Sequence, residues 1–285
     1  SSDPIAVLPP NYRFVSADAG THTFANGVTL RRAGTQKVTA TDTADSSLTA
    51  TLTITVNPAP AVELVLTGLP RNVISGTPAS VTVSTRDAWD NVATDYLGIV
   101  SFTSTDGIAT LPANYAFTPA DAGSHTFTNA VILRTAGTQT VTVKDTLNPS
   151  ISGGQPVNVT AAVPSSFQIT GLPGSITAGS AATMTVTARD AANNIVTGYT
   201  GIVAFTSTDP AATLPANYTF TPADAGVHVF TGGVTFRTAG SRTVTATDTL
   251  TPSASGTSPA VAVNPAAASL LQVTGLTSPI TAGNL

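Results

Sequence analysis

Leu111-Pro112-Ala113-Asn114-Tyr115 returns 103 residues later as Leu214-Pro215-Ala216-Asn217-Tyr218 and, with one change, stands 103 residues earlier as Leu8-Pro9-Pro10-Asn11-Tyr12. Asp18-Ala19-Gly20, Asp121-Ala122-Gly123 and Asp224-Ala225-Gly226 keep that spacing, as do Ala33-Gly34, Ala136-Gly137 and Ala239-Gly240. Solenoid units run to roughly 50 residues, so a period this long means whole domains in tandem. Complete repeats are expected over 62–164 and 165–267. Residues 1–61 align with the later part of a repeat and residues 268–285 with the start of the next, which suggests a window on a longer array.

Within a repeat, apolar and polar residues alternate with the period of a half-buried strand. Val62-Glu63-Leu64-Val65-Leu66, Ser80-Val81-Thr82-Val83-Ser84-Thr85 and Ile99-Val100-Ser101-Phe102-Thr103 read as the first three strands. Tyr115-Ala116-Phe117 is a short one, followed by a single turn at Thr118-Pro119-Ala120-Asp121 with Thr as cap. A hairpin is expected next, turning at Thr128-Asn129-Ala130 and at the equivalent Ala25-Asn26-Gly27. A three-residue loop there sets Phe24 opposite Val28 and His22 opposite Leu30. Gln139-Thr140-Val141-Thr142-Val143 and Pro156-Val157-Asn158-Val159 close the repeat. Seven or eight short strands in about 100 residues describe an all-β fold of tandem immunoglobulin-like antiparallel sandwiches. Val81, Met184, Phe102, Phe205, Phe127, Phe230, Val141 and Val244 are the expected core. The Pro/Ala-containing joints, such as Val56-Asn57-Pro58-Ala59-Pro60-Ala61, favour an elongated array.

Composition agrees. Of 285 residues 52 are Thr, whereas 14 Asp stand against one Glu (Glu63) and 9 Arg against two Lys, so helix formers are scarce. Charged residues make up 9%, against about 25% in ordinary soluble domains. A net charge of -4 leaves no basic stripe for nucleic acid, and no apolar run approaches membrane-spanning length. With no cysteine there is neither disulfide nor thiolate.

The strand Val81-Thr82-Val83-Ser84-Thr85 runs into an Asp-Ala-x-x-Asn turn, Asp87-Ala88-Trp89-Asp90-Asn91, and then into a Val-x-Phe-Thr-Ser strand. This order, with the closing Ala136-Gly137-Thr138-Gln139-Thr140-Val141-Thr142-Val143, resembles the bacterial immunoglobulin-like repeats of invasin- and intimin-type cell-surface proteins. The resemblance implies an extracellular or surface-anchored bacterial protein in which such repeats are spacers or adhesive modules. A turn Gly common in that family is Asp90 or Asn193 here, and the Leu-Pro-Ala-Asn-Tyr segment is peculiar to this array.

Few residues invite chemistry. His22, His125 and His228 each sit in Asp-Ala-Gly-x-His-x-Phe, one per repeat and with no Cys to share a metal. A structural role follows, the ring nitrogen replacing the Tyr hydroxyl that bonds to backbone at a sandwich corner. Asp18, Asp121 and Asp224 precede Arg31, Arg134 and Arg237 by thirteen residues and are expected to pair with them across the hairpin. Asp87, Asp90, Asp95, Asp106 and Asp145 are oxygen ligands near loop ends, but Asp90 becomes Asn193, Asp95 becomes Gly198, and turn chemistry accounts for such residues. Asn158-Val159-Thr160 and Asn217-Tyr218-Thr219 match the N-glycosylation pattern by a short motif only. Trp89, the one Trp, is the best contact candidate and more simply a loop or inter-domain anchor.

No catalytic, cofactor-binding or metal site is expected. The reading is a non-catalytic spacer that projects or assembles at a cell surface. An adhesive or glycan-binding module, as in phage-tail decorations, and accessory repeats of a secreted enzyme are the alternatives. Expected partners are neighbouring repeats and, given the low charge, lateral copies of the chain, with a surface glycan or protein under the adhesive reading; no nucleic acid and no membrane insertion are expected.

Overall fold

Val and Thr alternate through Pro78–Arg86 so that Ala79, Val81, Val83 and Thr85 all turn inward and are buried, as a β-branched strand with one solvated face requires. The computed structural model describes residues 1–275. They divide into two compact units, one over 1–160 and a second that begins at Ala161.

The first unit opens with a hairpin of β1 (Gly34–Thr41) and β2 (Thr49–Val56). Eight strands follow: β3 (Glu63–Thr67), β4 (Asn72–Ile74), β5 (Pro78–Arg86), β6 (Ile99–Ser104), β7 (Tyr115–Ala116), β8 (Ser124–Ile132), β9 (Gly137–Asp145) and β10 (Ser152–Thr160). One sheet is β3-β5-β8, and the other is β4-β10-β9-β6-β7, with β4 parallel to β10 and the remaining pairs antiparallel. Between them lie Leu64, Val81, Val83, Val100, Val131, Val141 and Val143, together with Phe102, Phe117 and Phe127. This is an immunoglobulin-like sandwich.

The second unit repeats the order of strands with β11 (Ser166–Thr170), β12 (Ser175–Thr177), β13 (Ala181–Arg189), β14 (Ile202–Ser207), β15 (Tyr218–Thr219) and β16 (Val227–Thr235). The last two strands are each divided, giving β17 (Gly240–Arg242), β18 (Val244–Asp248), β19 (Ser255–Thr257) and β20 (Val261–Asn264). The second break falls at Ser258-Pro259-Ala260. Met184, Phe230 and Val244 fill its core, and Phe205 is half-buried against it. Of the expected further repeat, residues 268–275 form no regular element and 276–285 lie outside the described residues.

The expected hairpin at 128–130 is not one. Ser124–Ile132 is a single strand along β5, and between Ala79↔Val131 and Val81↔Phe127 it carries two more residues than its partner. Asn129 therefore adopts a φ of 51° inside a bulge, and its N–H takes the Ser80 hydroxyl at 2.9 Å. Phe127 and Val131, four residues apart, share a face and both enter the core, while the bulge turns Asn129 between them out to solvent.

In residues 1–61 the equivalent face is open, because that segment holds no counterpart of β3, β5 or β6. Phe14 is 58% exposed where its copy Phe117 is 4% exposed. A cleft of about 970 Å³ among Tyr12, Phe14, Leu48 and Ala50 is this same open face.

Candidate functional site

Of the residues singled out from sequence, the histidines and the Asp-Ala-Gly aspartates converge on the turn before β8 and its two copies. Pro119–Asp121 forms one 3-10 turn, Ala122 and Gly123 leave it with φ of 46° and 78°, and the chain enters β8. Gly123 is obligatory, since a Cβ there would stand 2.5 Å from Ala93 O and 2.8 Å from Thr85 Oγ1. The tight reversal brings His125 Nδ1 to 2.7 Å from Asp121 Oδ1 and lays its ring on Tyr115, with centroids 3.9 Å apart. Tyr115 donates its hydroxyl to the same carboxylate at 3.1 Å. Thr118 donates both its N–H (2.7 Å) and its hydroxyl (2.8 Å) to Asp121 Oδ2. Tyr218, Asp224 and His228 repeat this, with His228 to Asp224 at 2.7 Å. Tyr12, Asp18 and His22 do so more loosely, at 3.3 Å.

The histidine thus bonds a carboxylate and not backbone, and the expected Asp–Arg pairs give way. Asp121 is already taken by donors three to six residues away, so Arg134 turns to Ile108 O (2.7 Å) and Thr110 Oγ1 (3.0 Å). Bonds from the Thr118 amide and hydroxyl hold Asp121 well below the usual carboxylate range, against a partial burial that works the other way. Asp224 is held at about 2 by the same kind of contacts, led by the Thr221 amide. Burial and the Asp121 charge push the Tyr115 phenol up. A carboxylate so acidic and so fully engaged is a weak proton acceptor near neutrality, so the cluster braces a corner.

Since these aspartates have folded-state pKa values below their unfolded ones, the stability they contribute is present above about pH 4 and is lost as pH falls through the folded values. The thermal midpoint is therefore expected to drop between about pH 4 and pH 2. Asp121→Asn should lower the midpoint at neutral pH and flatten that slope. A midpoint of the parent chain unchanged down to about pH 2 would contradict the assignment.

Of the loop aspartates considered as cation ligands, Asp87, Asp106 and Asp145 are likewise spoken for. Asp106 accepts from the amides of Arg134 (2.5 Å), Thr135 (3.0 Å) and Ile108 (3.1 Å) and from the Thr135 hydroxyl (2.6 Å). Asp145 accepts from Tyr96 Oη (2.5 Å) and from the amides of Leu147 and Asn148. Asp87 binds the amides of Trp89 and Asn91. Asp90, at φ 64°, lies 3.6 Å from Arg86 Nε, and Asp95 is exposed. Among the described residues no group of three or more His, Asp or Glu is placed to hold a metal ion. Trp89, on the loop after β5, is 40% exposed. Asn158 lies within β10, its amide on Arg71 O.

Sequence reasoning missed the Tyr96–Asp145 tie and its copy Tyr199–Asp248, also 2.5 Å. Nothing local marks a pair 49 residues apart; the only trace was that both members recur at the 103-residue period.

No family model and no curated protein matches the chain. Among solved structures it is similar to the Escherichia coli adhesin FdeC, at 20% identity and a TM-score of 0.41, over 75% of this chain and 68% of that one. It is similar to invasin, a bacterial integrin-binding protein, at 20% identity and a TM-score of 0.37, over 85% and 49%. Surface layer protein SbsC, domains 4–9, is similar at 23% identity and a TM-score of 0.29, over 84% and 36%. The chain thus spans about half the length of the invasin structure. No helix among the described residues is long and apolar enough to cross a membrane.

Proposed function

We propose that this segment is a non-catalytic spacer of a bacterial cell-surface protein, a run of repeats that holds another module away from its anchor. One observation carries the reading: the polar groups from which a site would be built are spent inside the fold. The Tyr115-Asp121-His125 brace, the Asp106 tie and the Tyr96–Asp145 tie recur as Tyr218-Asp224-His228, Asp209 and Tyr199–Asp248. Repeats whose recurring polar groups serve closure in the same way are interchangeable units of length, which is the property a spacer needs.

The adhesive reading has one residue in its favour. Trp89 is 40% exposed, and its copy in the next repeat is Ala192. The two readings part on ligand binding. Titration of the chain against a panel of surface glycans and extracellular matrix proteins should give no saturable binding. Saturable binding abolished by Trp89→Ala would replace the spacer by an adhesive module.

A further inference from the structure

The turn that carries the family resemblance does more than reverse the chain. Asn91 is buried, and its side chain leaves its own repeat: Nδ2 donates to Arg31 O at 2.7 Å, and Oδ1 accepts from the Ala33 amide at 2.9 Å. A carboxamide offers one donor edge and one acceptor edge, and the 31–33 corner presents a carbonyl and an N–H to match. Ser is too short for both bonds, and Asp has no donor. The second Nδ2 hydrogen goes to Asp87 Oδ2 at 2.8 Å, which fixes which way the amide faces. That same oxygen accepts the amide of Ala59, in the joint between the two segments, at 2.9 Å.

The receiving corner is itself held. Asp3, 3% exposed, accepts the amides of Arg31 (2.6 Å) and Arg32 (3.0 Å), leaving the Ala33 amide for Asn91. Two pinned loops and the joint are thus tied by one carboxylate and one carboxamide. We propose that Asp87 and Asn91 form a latch that fixes repeat 62–164 on the segment before it, with the backbone of 31–33 as its partner. The bonds from Asn91 to the 31–33 backbone join neutral amide groups, so added salt screens them little. Within the second unit, Asp190 holds Asn194 Nδ2 at 2.8 Å and the joint residue Ala162 at 3.1 Å, the same local arrangement. The latch deepens the spacer reading and rests on it for its use, because a spacer that sets the position of a distant module needs defined joints.

Hydrogen exchange of the 285-residue chain, read residue by residue with and without Asn91→Ala, tests it. The Ala33 amide is expected to exchange at least about tenfold faster in the variant, while Arg32 and Val83 keep their protection. Equal Ala33 exchange in the two chains would overturn the latch. If Asn91→Ala unfolds its repeat, seen as lost Val83 protection, the parent chain decides. Spin labels at Lys37→Cys and Thr103→Cys, in a chain with no other cysteine, are expected to give one narrow distance population with Asn91 intact. A broad distribution would overturn it. Both readouts are local to this joint, so their failure leaves a measurement of reach unaffected, and the converse holds.

Discussion

Gly153→Ala is expected to destabilise the sandwich of β3 to β10 by about 3 kcal/mol, although it adds a single methyl group to a strand. Gly153 lies in β10 where that strand passes over β3, and a Cβ at this position would collide with the Leu64 carbonyl. Backbone cannot move aside as a flexible side chain can, so β3 or β10 must shift and the core between the sheets opens. The neighbouring glycine is an internal control. At Gly154 the nearest atom to a Cβ is Thr142 Oγ1 at 3.5 Å, and the copy of this position is Thr257. Gly154→Ala should be neutral or mildly stabilising, through lost freedom of the unfolded chain. In thermal melts the first variant should lose on the order of 10 °C and the second almost nothing. Equal midpoints would show that β3 does not lie on β10 as described.

Asp106→Ala should cost at least about 3 kcal/mol by a different route. Its carboxylate is 3% exposed and gathers three backbone amides and one hydroxyl from two chain segments. Burial alone would favour the neutral acid, but the Thr135 hydroxyl and the amides of Arg134, Thr135 and Ile108 outweigh it and keep the group ionised. Alanine leaves those donors facing a dry void, whereas Asp106→Asn keeps one accepting oxygen and should cost less. Urea unfolding of the three chains is expected to order them parent, Asn, Ala. An Ala variant as stable as the parent would mean that water replaces the carboxylate at no cost, and the tie would not be structural.

The sheets were legible because strand faces are a local property. Alternation from Ala79 to Thr85 and from Gln139 to Asp145 specifies which side chains are buried, and no tertiary fact is needed to read it. Asn129 was misread because an Asn at positive φ serves a hairpin turn and a bulge equally, and only the length of β5 alongside separates the two. The aspartates were harder. Asp87, Asp106 and Asp145 carry the composition of ordinary turns, yet each binds donors from segments distant in sequence. Asp121 shows the converse, since a charge partner thirteen residues away lost to Thr118, Tyr115 and His125 close by. Duplication blurred the signal further, because it copies structural and functional residues alike. Asn91 stayed unread for a related reason: an Asn in a turn is explained by the turn, and its outward bonds to Arg31 and Ala33 have no mark in sequence.

Reach is the property a spacer must have, and small-angle scattering measures it directly. The 285-residue chain is compared with a version in which residues 62–164 are present twice in tandem. The spacer account predicts that the maximum dimension grows by the length of one repeat, roughly 30 Å or about the span of a nine-residue strand. A maximum dimension that barely changes, with the radius of gyration rising only as a compact globule's would, would contradict it.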